Sequence, residues 1–221
     1  KESDCVKILS GVFEAKTTGT PISLMIPNTS QISKDYSNIM DSYRPGHADY
    51  GFDSKYGFRD YRGGGRSSGR ETAGRVAAGA IAIKLLENFG ITFLTYVDQV
   101  GPVEIDESRF SVDEITKNAL NMPDSVAAKE AEAYLAEKMS EKDSSGASIT
   151  CKIQGCPVGL GEPVFDKMDA KLAQAIVSIG AVKAIEIGDG KSVVSATGTS
   201  NNDAFQMEDG QVRTLTNHAG G

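Results

Sequence analysis

Residues 44–75 read RPGHADYGFDSKYGFRDYRGGGRSSGRETAGR, and the side chains able to do chemistry are concentrated there. The run carries His47, one of two histidines in the chain, and six arginines. With Lys55 included, seven cations face the four carboxylates Asp49, Asp53, Asp60 and Glu71, a local charge of +3 in a chain of −7. A cationic island in an acidic protein is the electrostatic form of an anion site, whereas nucleic acid requires a broad basic surface. Guanidinium groups suit phosphate or carboxylate because they present two donors in one plane. A histidine beside them can give or take a proton near neutral pH. A lone histidine bonded within a loop is the plainer reading of the same residue.

Something must position these groups. Gly63-Gly64-Gly65 permits positive φ and close approach of the backbone to a ligand. From Glu71 to Asn88 the chain is rich in Ala, Ile and Leu and lacks Pro, which predicts a mostly buried helix with Gly90 at its C′ position. Ser68 and Glu71 have the S-x-x-E spacing of a capping box. The loop therefore delivers a ligand to a helix N-terminus, where free N–H groups and the helix dipole favour an anion, between Arg66 and Arg70. Walker A is excluded, because G-G-R-S-S-G-R-E lacks the Lys and the hydroxyl of that motif. The dinucleotide fingerprint is excluded too, since Ser68 follows Gly63 and Gly65 where a glycine is needed, and DSKYGFRDYR is a poor preceding strand. A solvated glycine-rich turn shows the same triplet, so the arginines and the capped helix carry the reading.

RPGHADY, followed by RDYRGGGRSSGRETAGRVAAGAIA, resembles the chorismate synthase family. VKILSGVFEAKTTGTPISLMIPN before it, and PVGLGEPVFDKMDAKLAQAIVSIGAVKAIEIGDG and NHAGG after it, are similar to the family in the same order; residues 100–145 are the least distinctive. The resemblance implies an α+β fold, a β-α-β sandwich of antiparallel sheets around a helical layer, with residues 1–221 as a single core domain. It implies a carbon–oxygen lyase that eliminates phosphate from 5-enolpyruvylshikimate 3-phosphate, anti and 1,4, to give chorismate. This is the last common step of the shikimate pathway to the aromatic amino acids. Reduced FMN is the implied cofactor, although the reaction has no net redox change. A cytoplasmic homotetramer, a dimer of dimers, is the implied setting. Substrate and cofactor each carry phosphate, and the substrate adds two carboxylates, a cargo suited to arginines and helix-end amides.

Carried over by motif, His47 is the implied proton donor beside the reduced flavin, and Arg44 of the same motif is expected against flavin or phosphate. Arg66, Ser67, Ser68 and Gly69 match the FMN-binding stretch of the loop, with Gly69 in place of the more usual alanine. Arg70 matches a substrate-contacting arginine. Gly180 and Ala181 match a second FMN stretch that is usually Asn-Ala, so a contact through the Asn side chain is lost here. Asn217 opens a further glycine-rich segment near the flavin, with His218 beside it in what also reads as a plain turn. The family's Gly-Glu-Ser-His-Gly stretch with its second histidine, its paired-arginine motif, its Lys-Pro-Thr flavin loop and its arginine-aspartate segment have no counterpart between Lys1 and Gly221. The expectation is a core that binds flavin or phosphate and turns over poorly alone.

Elsewhere, residues 5–15 and 22–27 read as a hairpin about TTGT, 29–43 as loop, and 91–101 and 148–156 as strands. A charged helix is expected from about Asp124 to Lys142, begun by Pro123. GLGEPVFDKMDAKLAQAIVSI reads as a glycine turn and a helix capped by Asp166, with Asp169 in its first turn, and AVKAIEIG as the following strand. Units 5–98 and 148–187 look loosely alike. The composition, 39% hydrophobic and 24% charged, is that of an ordinary globular protein, with no apolar run of membrane-spanning length. A pI near 5, no Trp and 7% aromatics argue against nucleic acid. Cys5, Cys151 and Cys156 form no C-x-x-C pair, and with two histidines they make no credible zinc set; free thiols are expected.

Overall fold

A computed structural model describes residues 4–220. Helices and strands are mixed, as expected for α+β, and every described strand pairing is antiparallel. The chain divides into two compact units, residues 80–158 and the remainder on either side.

The 80–158 unit holds the packed core. Strand β5 (Thr92–Val100) is central, between β6 (Val103–Glu104) and β7 (Ala147–Gln154). Both long strands lie where the β-branched and aromatic runs predicted them. Helix α4 (Ser125–Ser140) turns Ala127, Ala128 and Ala131 onto Val100 and Met122. The charged helix thus contributes one face to the core: small residues at i, i+1 and i+4 let it approach the sheet closely. Asp124 is its N-cap, accepting from the amides of Val126 and Ala127, so Pro123 precedes the cap rather than opening the helix. Asp124 is fully buried and also takes Arg109 Nη2 at 2.7 Å and the Asp106 amide at 3.1 Å. Between β6 and α4 runs a short helix, α3 (Val112–Ile115).

In the flanking unit the N-terminal hairpin is more elaborate than expected. Strand β1 (Lys7–Ser10) pairs with β4 (Ser23–Met25), and a smaller hairpin, β2 (Val12–Phe13) with β3 (Lys16–Thr17), sits between them. Its turn falls at Glu14-Ala15, both at positive φ, ahead of TTGT. Residues 33–39, expected as loop, form a 3-10 helix. Helix α1 (Asp49–Tyr56) was not foreseen; its glycine and charged residues give no apolar stripe. It stops at Gly57 in the left-handed region, with Phe52 edge-on to Tyr56 one turn later.

Helix α2 (Thr72–Glu87) has nearly the expected limits. Its end is a Schellman motif: Ile91 N–H donates to Leu86 O and Gly90 N–H to Glu87 O, with Gly90 at φ +76°. Its burial differs from expectation. Only Ala77 is buried, while Val76 is 73% and Leu85 59% exposed. An apolar helix is buried only where layers close over it, and the described residues leave these open.

Helix α5 (Met168–Val177) follows the glycine turn, but Asp166 does not cap it. Lys167 holds the cap position without a side-chain bond, and Asp166 pairs with Lys171. Asp169 does lie in the first turn. AVKAIEIG forms no strand. Val182, Ile185 and Ile187 are partly covered and the other residues exposed, but a ladder needs a partner and no described strand supplies one. The second of the two units thought alike therefore lacks its closing strand. Strands β8 (Phe205–Glu208) and β9 (Gln211–Thr214) form a separate hairpin.

Candidate functional site at the glycine loop

The loop is held by its own backbone. The Asp60 carboxylate accepts from the Arg62 amide at 3.0 Å, and Asp60 O from Gly64 N–H at 3.1 Å. Gly63, Gly64 and Gly65 all have positive φ, which only glycine adopts in succession without strain. Gly64 O accepts both the Ser67 amide, at 2.8 Å, and the Ser67 hydroxyl, at 2.7 Å. Ser68 Oγ accepts from the Arg70 amide, capping a single 3-10 turn that runs into α2. The capping box is therefore half formed. Ser68 N–H already donates to Gly65 O, and the Glu71 carboxylate turns to Arg75 instead.

At the loop lies a cavity of about 630 Å3. Its lining includes the apolar side chains Leu24, Ile26 and Ile32, the Tyr36 ring, and the cations Arg62, Arg66 and Arg70. Asp35, Asp60 and Glu71 line it too, so the cationic island is largely paired. Arg62 stands 3.7 Å from Asp60, and Arg70 bonds Asp4 at 2.7 Å and Pro27 O at 3.2 Å. Arg66 engages no carboxylate among the described residues.

His47 and Arg44 do not line the cavity. They belong to a cluster behind the loop, centred on Asp49, which is 3% exposed. Arg44 Nε reaches Asp49 Oδ2 at 2.9 Å, its Nη2 reaches Oδ1 at 3.1 Å, and its amide reaches Oδ2 at 3.1 Å. His47 Nδ1 lies 2.9 Å from Asp49 Oδ1, and Arg59 Nη1 lies 3.2 Å from the same oxygen. The bonds from Arg44 hold the Asp49 carboxyl well below the usual carboxylate range, against the opposing effect of burial. Arg59 is anchored in turn: its Nη2 donates to the carbonyls of Ile39, Met40 and Ser42, and its guanidinium lies over the Tyr43 ring. The imidazole edge abuts the loop, since a Cβ built on Gly64 would stand 3.6 Å from His47 Cε1.

The family model described as chorismate synthase matches residues 1–221, the whole chain.

The chain belongs to the chorismate synthase family.

It is 63% identical to the chorismate synthase of Agathobacter rectalis over 221 residues, covering 100% of this chain and 60% of that protein. Against the chorismate synthase of Lachnospira eligens the identity is 58% over 221 residues, with the same coverage. Against that of Paracoccus denitrificans it is 51% over 223 residues, covering 100% of this chain and 61% of that protein. A crystal structure of chorismate synthase superposes with a TM-score of 0.80 at 30% identity, over 97% of this chain and 64% of that one. The chain thus spans about 60% of the length of these curated relatives.

Of the residues singled out by the chorismate synthase motifs, Arg66, Ser68 and Arg70 line one cavity. Ser67 stands behind them, its hydroxyl spent on the loop carbonyl. Gly69 is exposed, with its carbonyl accepting from the Thr72 hydroxyl. Arg44, expected at flavin or phosphate, has its described donors turned to Asp49 and His47. Gly180 and Ala181 do not line the cavity, but the end of α5 just before them is tied to α2, where Arg75 Nη1 bonds the Ser178 hydroxyl at 2.9 Å. Asn217 is exposed. His218 is bonded on two sides: Nδ1 lies 2.6 Å from Asp189 Oδ2, and its amide donates to Asp203 at 2.7 Å.

Asp49 and Arg59 are the residues that sequence reasoning missed. Both were counted only as charges. The available signal was Asp49 two residues after His47 in RPGHAD, a spacing at which a carboxylate can turn back onto the imidazole.

Proposed function

We propose that this chain supplies the flavin- and substrate-binding core of a chorismate synthase, an FMN-dependent lyase. The longer enzyme would convert 5-enolpyruvylshikimate 3-phosphate to chorismate by anti 1,4-elimination of phosphate and a ring proton. The observation that carries the reading is the cavity at the glycine loop, whose lining includes both apolar side chains and the arginines Arg62, Arg66 and Arg70. FMN is a flat aromatic ring with a phosphate tail, and both kinds of lining residue have their counterpart in it. The volume, about 630 Å3, lies within the ordinary range for ligand pockets. The residues present therefore fit the cofactor.

In this reading Arg66, which engages no carboxylate among the described residues, holds phosphate, with Ser68 and the start of α2 beside it. Arg70 receives an anionic group of the substrate, exchanging Asp4 for a ligand carboxylate or phosphate. Gly180, Ala181 and Asn217 approach the flavin through backbone and side-chain amide groups. His47 holds or delivers a proton at the edge of the loop. The chemistry that reduced FMN would supply when bound is transient electron donation to the substrate, in keeping with a redox cofactor in a reaction without net redox change. Both compact units are taken as parts of one core domain, and the assembled enzyme as a cytoplasmic homotetramer. No described helix is long and apolar enough to cross a membrane.

The test is anaerobic incubation of this chain with chemically reduced FMN and 5-enolpyruvylshikimate 3-phosphate, following chorismate formation alongside flavin binding. Binding without turnover assigns the chain the binding role and leaves catalysis to the longer enzyme. Turnover places the whole chemistry within it. Absence of flavin binding refutes the assignment of the cavity.

A further inference from the structure

We propose that Arg44 is a positioning residue for His47: its guanidinium donates to Nδ1 and so holds the neutral imidazole in the tautomer with the proton on Nε2. The inference rests on the reading of His47 as the proton-handling group and states which ring nitrogen carries the proton it offers.

A turn builds the pairing. Arg44-Pro45-Gly46-His47 closes with the His47 amide donating to Arg44 O at 3.3 Å, and Gly46 takes φ +68°, the left-handed value that a proline-glycine turn needs at that position. Arg44 and His47, at the two ends of the turn, are thereby brought within reach of each other. The buried Asp49 then fixes the guanidinium, accepting from Nε at 2.9 Å and from Nη2 at 3.1 Å. Nη2 carries two hydrogens. One serves Asp49 Oδ1, and the other is left for His47 Nδ1, 3.2 Å away.

Chemistry sets the direction of that bond. A guanidinium has N–H donors and no acceptor, and the bonds to Asp49 raise Arg44 above its ordinary range. Nδ1 must therefore accept, and a ring nitrogen that accepts carries no proton. Asp49 Oδ1 also comes within 2.9 Å of Nδ1, but as a neighbouring charge without the alignment of a hydrogen bond. The neutral ring thus keeps its proton on Nε2, which has no hydrogen-bond partner among the described residues. Cε1, the carbon joining the two nitrogens, faces Gly64, where a built Cβ would stand 3.6 Å away. Gly63, Gly65 and Arg66 beside it line the cavity. Nε2–H is the donor that the ring has free for a ligand, and a neutral imidazole acting through such a bond is a known catalytic device. Giving that proton up from the imidazolium would leave Nδ1–H facing the Arg44 donor. The arrangement therefore favours lending Nε2–H as a hydrogen bond over releasing it.

Histidine 15N NMR of this chain, in the alkaline limit of a pH series, tests the inference. The chain has two histidines, and His218→Gln assigns the spectrum. Wild-type His47 should carry its proton on Nε2 alone, with Nδ1 bare. Arg44→Met removes the donor and leaves Asp49 Oδ1 beside Nδ1, so the proton should move to Nδ1. A wild-type proton on Nδ1, a mixture of the two tautomers, or an Arg44→Met spectrum matching wild type overturns the inference. If Arg44→Met does not fold, the wild-type spectrum decides alone. In the full-length enzyme, Arg44→Met should lower kcat by about 10²-fold or more when His47 is present, and by less than about threefold once His47 is alanine, because both changes remove the same contact. An equal loss in both backgrounds places Arg44 on flavin or phosphate instead and sinks the positioning role alone. Wild-type turnover in His47→Ala sinks the reading of His47 and takes the positioning role with it, whatever the spectrum shows.

Discussion

Gly64→Ala should be among the most costly single-atom additions to the candidate site. Gly64 has φ +83°, and a Cβ built on it would stand 2.7 Å from Ser67 Oγ. The left-handed backbone alone costs an alanine about 1–2 kcal/mol. Ser67 Oγ must also leave Gly64 O, to which it now donates at 2.7 Å. A bond of that kind is worth about 0.5–1.5 kcal/mol. Together these amount to about 2–3 kcal/mol, or roughly 5–10 °C of melting temperature for a chain of this size. Urea unfolding of Gly64→Ala, Ser67→Ala and the double variant separates the contributions. Ser67→Ala alone should cost about 1 kcal/mol, and almost nothing once Gly64 is already alanine, because the hydroxyl has been displaced. The coupling energy should therefore be about 1 kcal/mol, with the sign of a shared interaction. Two variants that add within about 0.5 kcal/mol, or a Gly64→Ala protein as stable as wild type, would refute the account of the loop.

Three further expectations follow from the geometry. Arg66→Ala should weaken FMN binding by about 10–100-fold, the loss of one charge-assisted contact, with a reduced salt dependence in a fluorescence titration; unchanged affinity would remove Arg66 from the phosphate site. Asp124→Ala should destabilise the 80–158 unit by about 1–3 kcal/mol in urea unfolding, because it uncaps α4 and takes the acceptor from the Asp106 amide, while Arg109, 44% exposed, keeps Asp106 as a partner. Asp49 and Asp124 are both held well below their ordinary range, chiefly by Arg44 and Arg109 respectively. The unfolded chain, whose aspartates titrate near about 3.9, therefore binds more protons than the folded one in acid. Stability from these groups is present above that pH and is lost as pH falls below it toward their depressed folded values. Urea midpoints followed from neutral pH into acid should show a shallower acid loss in Asp124→Asn than in wild type; parallel curves would contradict the assignment.

The elements that were legible in the sequence are those defined within a single window. The composition of α2 and the glycine behind it place its end correctly, because a helix satisfies its own hydrogen bonds and the Schellman motif closes with neighbours in the chain. The long strands β5 and β7 were visible for a related reason: their alternating, β-branched runs fit a pleated, half-covered surface wherever the partner lies. Helix α1 was hidden because residues 49–56 have no apolar face to announce it, and its terminal Asp49 is buried by charge pairing instead. AVKAIEIG failed in the opposite sense, with a strand-like pattern and no described partner strand to realise it.

At the candidate site the sequence by itself determined residue chemistry: a glycine run with positive φ, arginines for anions, and a histidine two residues from an aspartate. Only the tertiary structure decided which arginine serves which role. Arg44 and Arg59 turn inward to a buried carboxylate, Arg70 reaches Asp4 across 66 residues, and Arg66 remains toward the cavity without a carboxylate partner among the described residues. These arginines are chemically identical in the sequence. Their partners are set by distances between segments far apart in the chain, and no local pattern encodes those distances.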